Sequence, residues 1–351
     1  MFNSDEYVAI SGTGNYFLSE NVLKVINKLG RGDIRFLHFN MDEFVDGEQD
    51  FTIPECKKIN GKHVLVFQSL HQDKHGLGSQ FLTLIWAAKN QFGAKSVTGI
   101  ALFFQYRRQE KFKKETEIDR NLMFTQALKD HGLDRLLLCD IHSVKTLENC
   151  EKVGLRVWNT DPTIAYSAYL RPLVELARRE GREFYVYSPD NGSIMRSIIL
   201  AKELGVGVAA GSKERSAKGN IELVDNSDEI KAKLVRLSEE YGIKIIADLG
   251  QLKGCDVCVR EDEIESGDTS SKTGKFLKEK IQIHRMYFCV THTVLTSGWR
   301  RKFLDDMLFD NVFVGNTIPR DYPKKTGGIF TTVDMSQVIG NKLFEVLNEN
   351  L

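Results

Sequence analysis

The residues with most chemistry to offer lie between Cys255 and Leu277, in the stretch CDVCVREDEIESGDTSSKTGKFL. Residues 256–259 form a short, mostly apolar run of buried-strand type. Polar residues follow at once, with Glu261 beside Asp262 and then Ser266-Gly267-Asp268-Thr269. A lysine-bearing segment ending in Phe276 and Leu277 reads as an amphipathic helix. Carboxylates at a strand end can accept hydrogen bonds from vicinal ribose hydroxyls. A Ser-Gly-x-Thr turn that opens a helix offers backbone N–H groups and two hydroxyls to a phosphate, at the positive end of the helix dipole. A solvated acidic loop fits the same residues, and this stretch alone leaves both readings open.

Other polar clusters follow apolar, strand-like runs. Arg108-Gln109 comes after 96–104, and an arginine can grip a phosphate through two parallel hydrogen bonds. Asp140-Ile141-His142 follows 135–139. Ser188-Pro189-Asp190-Asn191-Gly192-Ser193 lies between a strand-like run and a helix carrying Arg196, and such a helix start suits an anion or a ribose. Lys213 and Arg215 sit in a short turn after 206–210, where an exposed charged turn is the commoner meaning. Phe44-Val45-Asp46-Gly47-Glu48 reads as a hairpin turn, with Phe44 open to a core role. His71, Asp73 and His75 alternate, but a solvated loop is the better reading, because a mobile loop supplies no fixed coordination geometry. Gly12-Thr13-Gly14 reads as a tight strand-to-helix turn rather than a dinucleotide site.

The elements that must position these residues alternate along the chain. Strands are expected at 7–10, 34–39, 63–68, 96–104 and 135–139, with helices at 18–29, 82–91 and 118–131 between them. A helix over 163–179 should start at Asp161-Pro162-Thr163, capped by Asp161 or Thr160. Strands at 184–187, 206–210, 285–290 and 312–314 follow, with helices at 299–309 and 338–347. Ile230, Leu234, Leu237 and Tyr241 recur at helical spacing, with Asn226 and Glu229 as a capping pair. The alternation predicts an α/β protein of two domains, each a mainly parallel sheet flanked by helices, with functional loops at the strand carboxyl ends. The expected domains are 1–158 and 159–330, with the helix in 331–351 not assigned to either.

Bulk properties remove several function classes. The 351 residues carry 48 Lys and Arg against 48 Asp and Glu, so bulk charge favours neither nucleic acid nor a membrane surface. No apolar run reaches membrane-spanning length, and residues 1–15 lack a basic-then-apolar leader. The six cysteines are scattered, which fits reduced, buried thiols in a cytoplasmic protein. Cys255 and Cys258 face opposite sides of a strand, and no second pair supports a zinc site. No Walker A sequence is present.

Together these motifs resemble the ribose-phosphate pyrophosphokinase (phosphoribosyl pyrophosphate synthetase) family, from near residue 8 to near residue 340. The family's Phe-x-Asp-Gly-Glu stands at Phe44–Glu48, its Arg-Gln at Arg108-Gln109 with Phe104 and Tyr106, and its Asp-x-His at Asp140–His142. Its Ser-Pro-Asp stands at Ser188–Asp190, its Lys-x-Arg at Lys213–Arg215, and its ribose-phosphate loop at Glu261–Thr269. Thr291-His292 and Asn316–Pro319 match as well, while 225–242 has no counterpart. The resemblance implies two phosphoribosyltransferase-like domains. It also implies transfer of pyrophosphate from ATP to O1 of ribose 5-phosphate, with AMP leaving, as a step of nucleotide biosynthesis.

By the same resemblance, Phe44, Asp46, Glu48, Arg108 and Gln109 bind ATP. Asp190, Glu261, Asp262, Ser266, Gly267, Asp268 and Thr269 bind the ribose phosphate. His142 and Asp190 serve Mg2+, and Lys213 and Arg215, on a mobile loop, stabilise the transition state. The resemblance implies a homo-oligomer whose partners are small-molecule substrates rather than nucleic acid or membrane. Three departures stand out: Glu261 replaces an aspartate, and Glu265 and Asp268 place acids in the phosphate turn. Those acids would repel a phosphate dianion, so a 5′-substituted ribose such as ADP-ribose is a second acceptor to test. A non-catalytic regulatory subunit is a third reading.

Overall fold

Runs such as Val64-Leu65-Val66-Phe67 and Leu136-Leu137-Leu138 are apolar at successive positions, which suits strands covered on both faces. They form the centres of parallel sheets in the computed structural model, which describes residues 3–71, 76–109, 115–215, 221–224, 228–322 and 326–349. For 212–215 and 221–224 only the backbone is described. Residues up to Asp161, with Thr317–Pro319 and the stretch from Met335, make one unit; Pro162–Asn316 and Arg320–Asp334 make the other.

In the first unit the elements are β1 (Tyr7–Ser11), α1 (Tyr16–Gly30), β2 (Asn40–Glu43), β3 (Gln49–Thr52), β4 (His63–Ser69), α2 (Leu77–Trp86), β5 (Ser96–Phe103), α3 (Arg120–Asp130), β6 (Arg135–Cys139), α4 (Lys145–Lys152) and β7 (Arg156–Thr160). Five strands pair in the order β1-β4-β5-β6-β7, all parallel. Strands β2 and β3 form a separate antiparallel hairpin. Asn15 caps α1 by accepting from Leu18 N–H at 3.2 Å. The Gly12–Gly14 turn is closed internally, since Gly14 N–H donates to Gln68 Oε1 at 2.8 Å. The C-terminal helix, Ser336–Asn348, packs on α1 and β7. Arg135, 2% exposed, caps it by donating to Val346 O at 2.9 Å.

Sequence expectations differ here in three places. Residues 34–39 make only a bridge between Ala9 and Phe36, because Asn27 holds both the N–H and the carbonyl of Ile34 at 2.8 Å and ties that end to α1. Helix α2 begins at Leu77, earlier than the expected 82, and finishes in a π-helical turn over Ala87–Gln91. Helix α4 and strand β7 had no clear signal: α4 is largely polar and β7 is a half-exposed edge strand.

In the second unit the elements are α5 (Thr163–Arg179), β8 (Phe184–Ser188), α6 (Ile194–Leu204), β9 (Gly207–Ala210), β10 (Ser212–Arg215), β11 (Ile221–Val224), α7 (Asp228–Tyr241), β12 (Ile245–Ile246), β13 (Asp256–Ile264), α8 (Asp268–Lys275), β14 (Met286–Thr293), β15 (Asn311–Gly315) and β16 (Phe330–Val333). Seven strands pair in the order β12-β9-β8-β13-β14-β15-β16, again all parallel. Phe288, Phe303, Phe309 and Phe330 form an aromatic floor, with Phe303 stacked on Phe309 at 5.2 Å.

Pro162 precedes the first helical residue of α5, and no side chain caps it, so the expected Asp161 or Thr160 cap is not made. Ile230, Leu234 and Leu237 of α7 are buried, with the helix packed on α6 and β12. Its apolar stripe therefore serves its own unit. Asn226, half of the expected capping pair, lies outside the described residues, as do Asp73 and His75. The helix expected over 299–309 ends in a π-helical turn at Arg301–Asp305. All six cysteines are free thiols. No described helix is long and apolar enough to cross a membrane.

Candidate functional site

At the carboxyl ends of β4 and β5 the first unit forms a half-open cavity of about 780 Å³. Its apolar wall includes Phe103, Tyr106, Met123 and Phe124, and its polar lining includes His71, Gln105, Arg107, Arg108, Gln109 and Arg120. Among the described residues that line it there are three arginines and no carboxylate. The starts of α2 and α3 also border it, which adds two positive helix ends. Such a pocket suits an anion attached to an apolar body, as a nucleotide is.

Two local arrangements here are costly. Tyr106 has a left-handed backbone, φ 58°, which disfavours a bulky residue by roughly 1–3 kcal/mol. Arg120 opens α3 at the positive end of its dipole, where a cation is disfavoured. The two meet: the Arg120 guanidinium lies 4.0 Å from the Tyr106 ring centroid, and Arg107 lies 4.4 Å from that of Phe103. Strain concentrated on one cavity is a signature of a binding site. The motif pointed to Arg108 and Gln109, both of which line this cavity, but not to Arg120, because nothing in a helix's first residue announces the ring it will stack on.

The hairpin tip stands apart. Phe44 is 55% exposed, so it is not a core aromatic. With Val45, Asp46 and Glu48 it lines its own open depression, separate from the arginine cavity. Asp46 accepts from Glu48 N–H at 3.1 Å and so shapes the turn. Asp140 follows β6 with φ 44° and is buried, and the half-buried His142 lies two residues on.

The second unit gathers its candidates at the carboxyl ends of β8, β9 and β13. Asp190 Oδ1 accepts from Gly192 N–H (3.0 Å), Ser193 N–H (3.1 Å) and Ser193 Oγ (2.9 Å), which organises the entrance to α6. Lys213 and Arg215 lie on β10, which pairs with β11 in an antiparallel ribbon, and β11 lies against α8. Lys213 and Arg215, expected in a turn, thus lie on a paired strand, because Ile221–Val224 supply a partner.

Strand β13 runs on through the acidic residues to Ile264, rather than ending before them. Successive side chains of a strand leave on opposite faces, so Glu261 and Asp262 do not form a side-by-side pair. Asp262 is 3% exposed, with its carboxylate 4.0 Å from the Arg196 guanidinium of α6. Arg260, 1% exposed, sits on the same face of β13 as Asp262. It donates to Thr291 Oγ1 at 3.3 Å and to Glu261 O, and lies 4.9 Å from the Tyr166 ring centroid. Sequence reasoning passed over Arg260, since a buried cation inside a strand gives no periodic signal.

The turn itself is tightly specified. Gly267 has φ +77°, and a Cβ there would lie 2.6 Å from Phe303 Cε2. Asp268 opens α8, with Oδ2 accepting from Ser266 Oγ at 2.5 Å and Oδ1 lying 2.6 Å from Lys302 Nζ. The Lys302 ammonium, then the Ser266 hydroxyl, hold the Asp268 carboxyl below its usual range. The acid in the turn is thus paired inside the protein.

Two all-parallel sheets with polar turns at their carboxyl edges define an α/β protein of the open-sheet class, whose ligand sites lie at those edges. Residues 7–132 match the model of the N-terminal domain of ribose phosphate pyrophosphokinase, and residues 207–350 match the phosphoribosyl synthetase-associated domain. The chain belongs to the ribose-phosphate pyrophosphokinase family. It is 26% identical to the ribose-phosphate pyrophosphokinase of Mycoplasma genitalium over 96% of this chain and 90% of that protein. It is 23% identical to human phosphoribosyl pyrophosphate synthase-associated protein 2, over 83% of this chain and 79% of that protein. The fold is similar to the phosphoribosylpyrophosphate synthetase of Mycobacterium smegmatis, with TM-score 0.77 and 20% identity over 98% of this chain and 100% of that one.

Proposed function

We propose that the protein is a diphosphotransferase that moves the terminal pyrophosphoryl group of ATP to the 1-hydroxyl of ribose 5-phosphate, giving phosphoribosyl pyrophosphate and AMP. The observation that carries this is the near end-to-end match to a ribose-phosphate pyrophosphokinase, 96% of the chain, with donor and acceptor motifs both present. The arginine cavity supports the donor role. Arg108, Gln109 and Arg120 are suited to the phosphates; Phe44, Asp46 and Glu48 are suited to a base, but line a separate depression, so they would meet the base of that nucleotide only from a second subunit. Phe44 is half-exposed in the single chain, in keeping with a homo-oligomer in which ligand or partner covers it. Asp190, Glu261, Asp262 and the Ser266–Thr269 turn are assigned to the acceptor.

The transfer breaks the bond between the α,β-bridging oxygen and the β-phosphorus, and forms a bond from the ribose O1 to that phosphorus. The O1 proton is lost, and AMP departs with the bridging oxygen. Such reactions need in-line placement and charge neutralisation more than covalent help. Lys213 and Arg215 are assigned to the charge that builds on the transferred and leaving oxygens. Mg2+ takes oxygen ligands, which makes the Asp190 and Asp262 carboxylates better donors for it than the His142 ring. When bound, it would neutralise phosphate charge.

The test is AMP release from MgATP with ribose 5-phosphate and with ADP-ribose in parallel. Ribose 5-phosphate should be the better acceptor, because Lys302 answers the acid that would have repelled its phosphate. No AMP with either would return the protein to the class of regulatory subunits. Lys213→Ala should lower kcat about a hundredfold or more, with far less change in ATP binding. Unchanged turnover would remove the ribbon from the mechanism.

A further inference from the structure

Asp268 occupies the first position of α8, in the turn assigned above to the acceptor's phosphate. An unanswered carboxylate there opposes a phosphate dianion. Lys302 reaches it from the π-helical turn at Arg301–Asp305. Its Nζ lies 2.6 Å from Asp268 Oδ1 and also donates to Ser266 O at 2.9 Å. The lysine side chain is only 13% exposed, whereas the aspartate is 66% exposed. The next residue, Phe303, packs against Gly267 and belongs to the aromatic floor, so the lysine rises from a fixed base. Both oxygens of Asp268 are engaged within the turn, Oδ1 by the ammonium and Oδ2 by the Ser266 hydroxyl. A glycine at 268 would need no such partner. The lysine and the acid therefore belong to one device.

We propose that Lys302 is a positioning residue for the acceptor: it cancels the Asp268 charge and holds the Ser266 carbonyl, so that the turn receives a phosphate monoester although an acid stands in it. The inference rests on the acceptor reading of this turn. It also makes a claim about specificity. With the pair intact the turn takes the doubly charged phosphate of ribose 5-phosphate. With the lysine gone it should favour acceptors that carry less charge at that position.

The test uses the full chain and four variants: Lys302→Met, Lys302→Gln, Asp268→Gly and the double Lys302→Met/Asp268→Gly. Two readouts are taken: KM for ribose 5-phosphate and for ATP separately, and calorimetric affinity for ribose 5-phosphate and for inorganic phosphate. Lys302→Met should weaken ribose 5-phosphate about tenfold in both readouts, the effect of one uncancelled charge near a dianion, with ATP KM changed less than about twofold. Lys302→Gln, which keeps a donor to the Ser266 carbonyl but not the charge, should fall between wild type and Lys302→Met. Asp268→Gly should tighten phosphate binding. The double variant should recover most of the loss.

A double variant no better than Lys302→Met overturns the proposal, as does an equal effect of Lys302→Met on ATP and acceptor, which a purely structural lysine would give. A wild type that binds ribose 5-phosphate but releases no AMP sinks the catalytic reading while the coupling is still measured by calorimetry. A wild type that binds neither ribose 5-phosphate nor phosphate overturns both.

Discussion

Replacing Gly267 by alanine tests the turn at its most constrained atom. Two costs can be read from the geometry. The residue has φ +77°, a left-handed conformation that disfavours an L side chain by about 1–2 kcal/mol. The new methyl would also lie 2.6 Å from Phe303 Cε2 and 3.2 Å from its Cδ2. That ring is fully buried and stacked on Phe309, so it has little room to retreat. Overpacking of this kind costs about 1–3 kcal/mol. The sum is about 2–5 kcal/mol, a fall in Tm of about 4–20 °C for a unit of this size. Gly254→Ala is the control. Its φ is +74° but nothing lies within 4 Å, so it should lose only the backbone cost of about 1–2 kcal/mol. Thermal unfolding of both variants separates the steric part from the backbone part, and ribose 5-phosphate affinity reports the displaced turn. If Gly267→Ala costs no more than Gly254→Ala, the packing of the turn on Phe303 is wrong.

Arg120→Ala should weaken ATP about tenfold, ADP less and adenosine hardly at all, because a guanidinium on the cavity wall acts on phosphate charge. An equal loss for all three, measured by calorimetry, would make Arg120 a merely structural partner of Tyr106. His63 is buried, with Nδ1 2.6 Å from Ser96 Oγ and its ring stacked on Tyr7 at 4.8 Å. Burial, then Lys95, hold its imidazole below the ordinary 6.5. The unfolded chain therefore binds more protons in this range, so stability is full above about pH 6.5 and is lost as pH falls below it. Urea midpoints between pH 5 and 8 should show a smaller acid loss in His63→Gln than in wild type, and identical slopes would exclude His63 as a source.

Much of this was legible one residue at a time. Continuous apolar runs such as 64–67 and 136–138 suit strands covered on both faces, and their alternation with helical segments points to parallel sheets. The positions of Arg108, Asp190 and the 266–269 turn after such runs place them at strand carboxyl ends without further information. The end of β13 was not legible, because Glu261–Glu263 look like loop residues until β14 supplies partners opposite them. The ribbon that carries Lys213 is a similar case, since its partner strand is short and lies beyond the intervening residues. Edge strand β7 and the polar helix α4 carry too little periodic signal to stand out.

What the amino-acid order determined by itself is the identity of the chemical groups and, for Arg108, Asp190 and the 266–269 turn, the strand end on which each sits, since these follow from local pattern and spacing. What only the folded chain decided is which groups meet. Asp268 reads from the sequence as an unwelcome charge, and becomes one half of a pair when a lysine 34 positions later arrives 2.6 Å away. Arg120 and Tyr106 likewise become one stacked unit across 14 positions, at 4.0 Å. The physical reason is range: hydrogen-bonding propensity and apolar periodicity act over a few residues, whereas the cancelling of a charge depends on distance in space, which the chain sets only after its cores have packed.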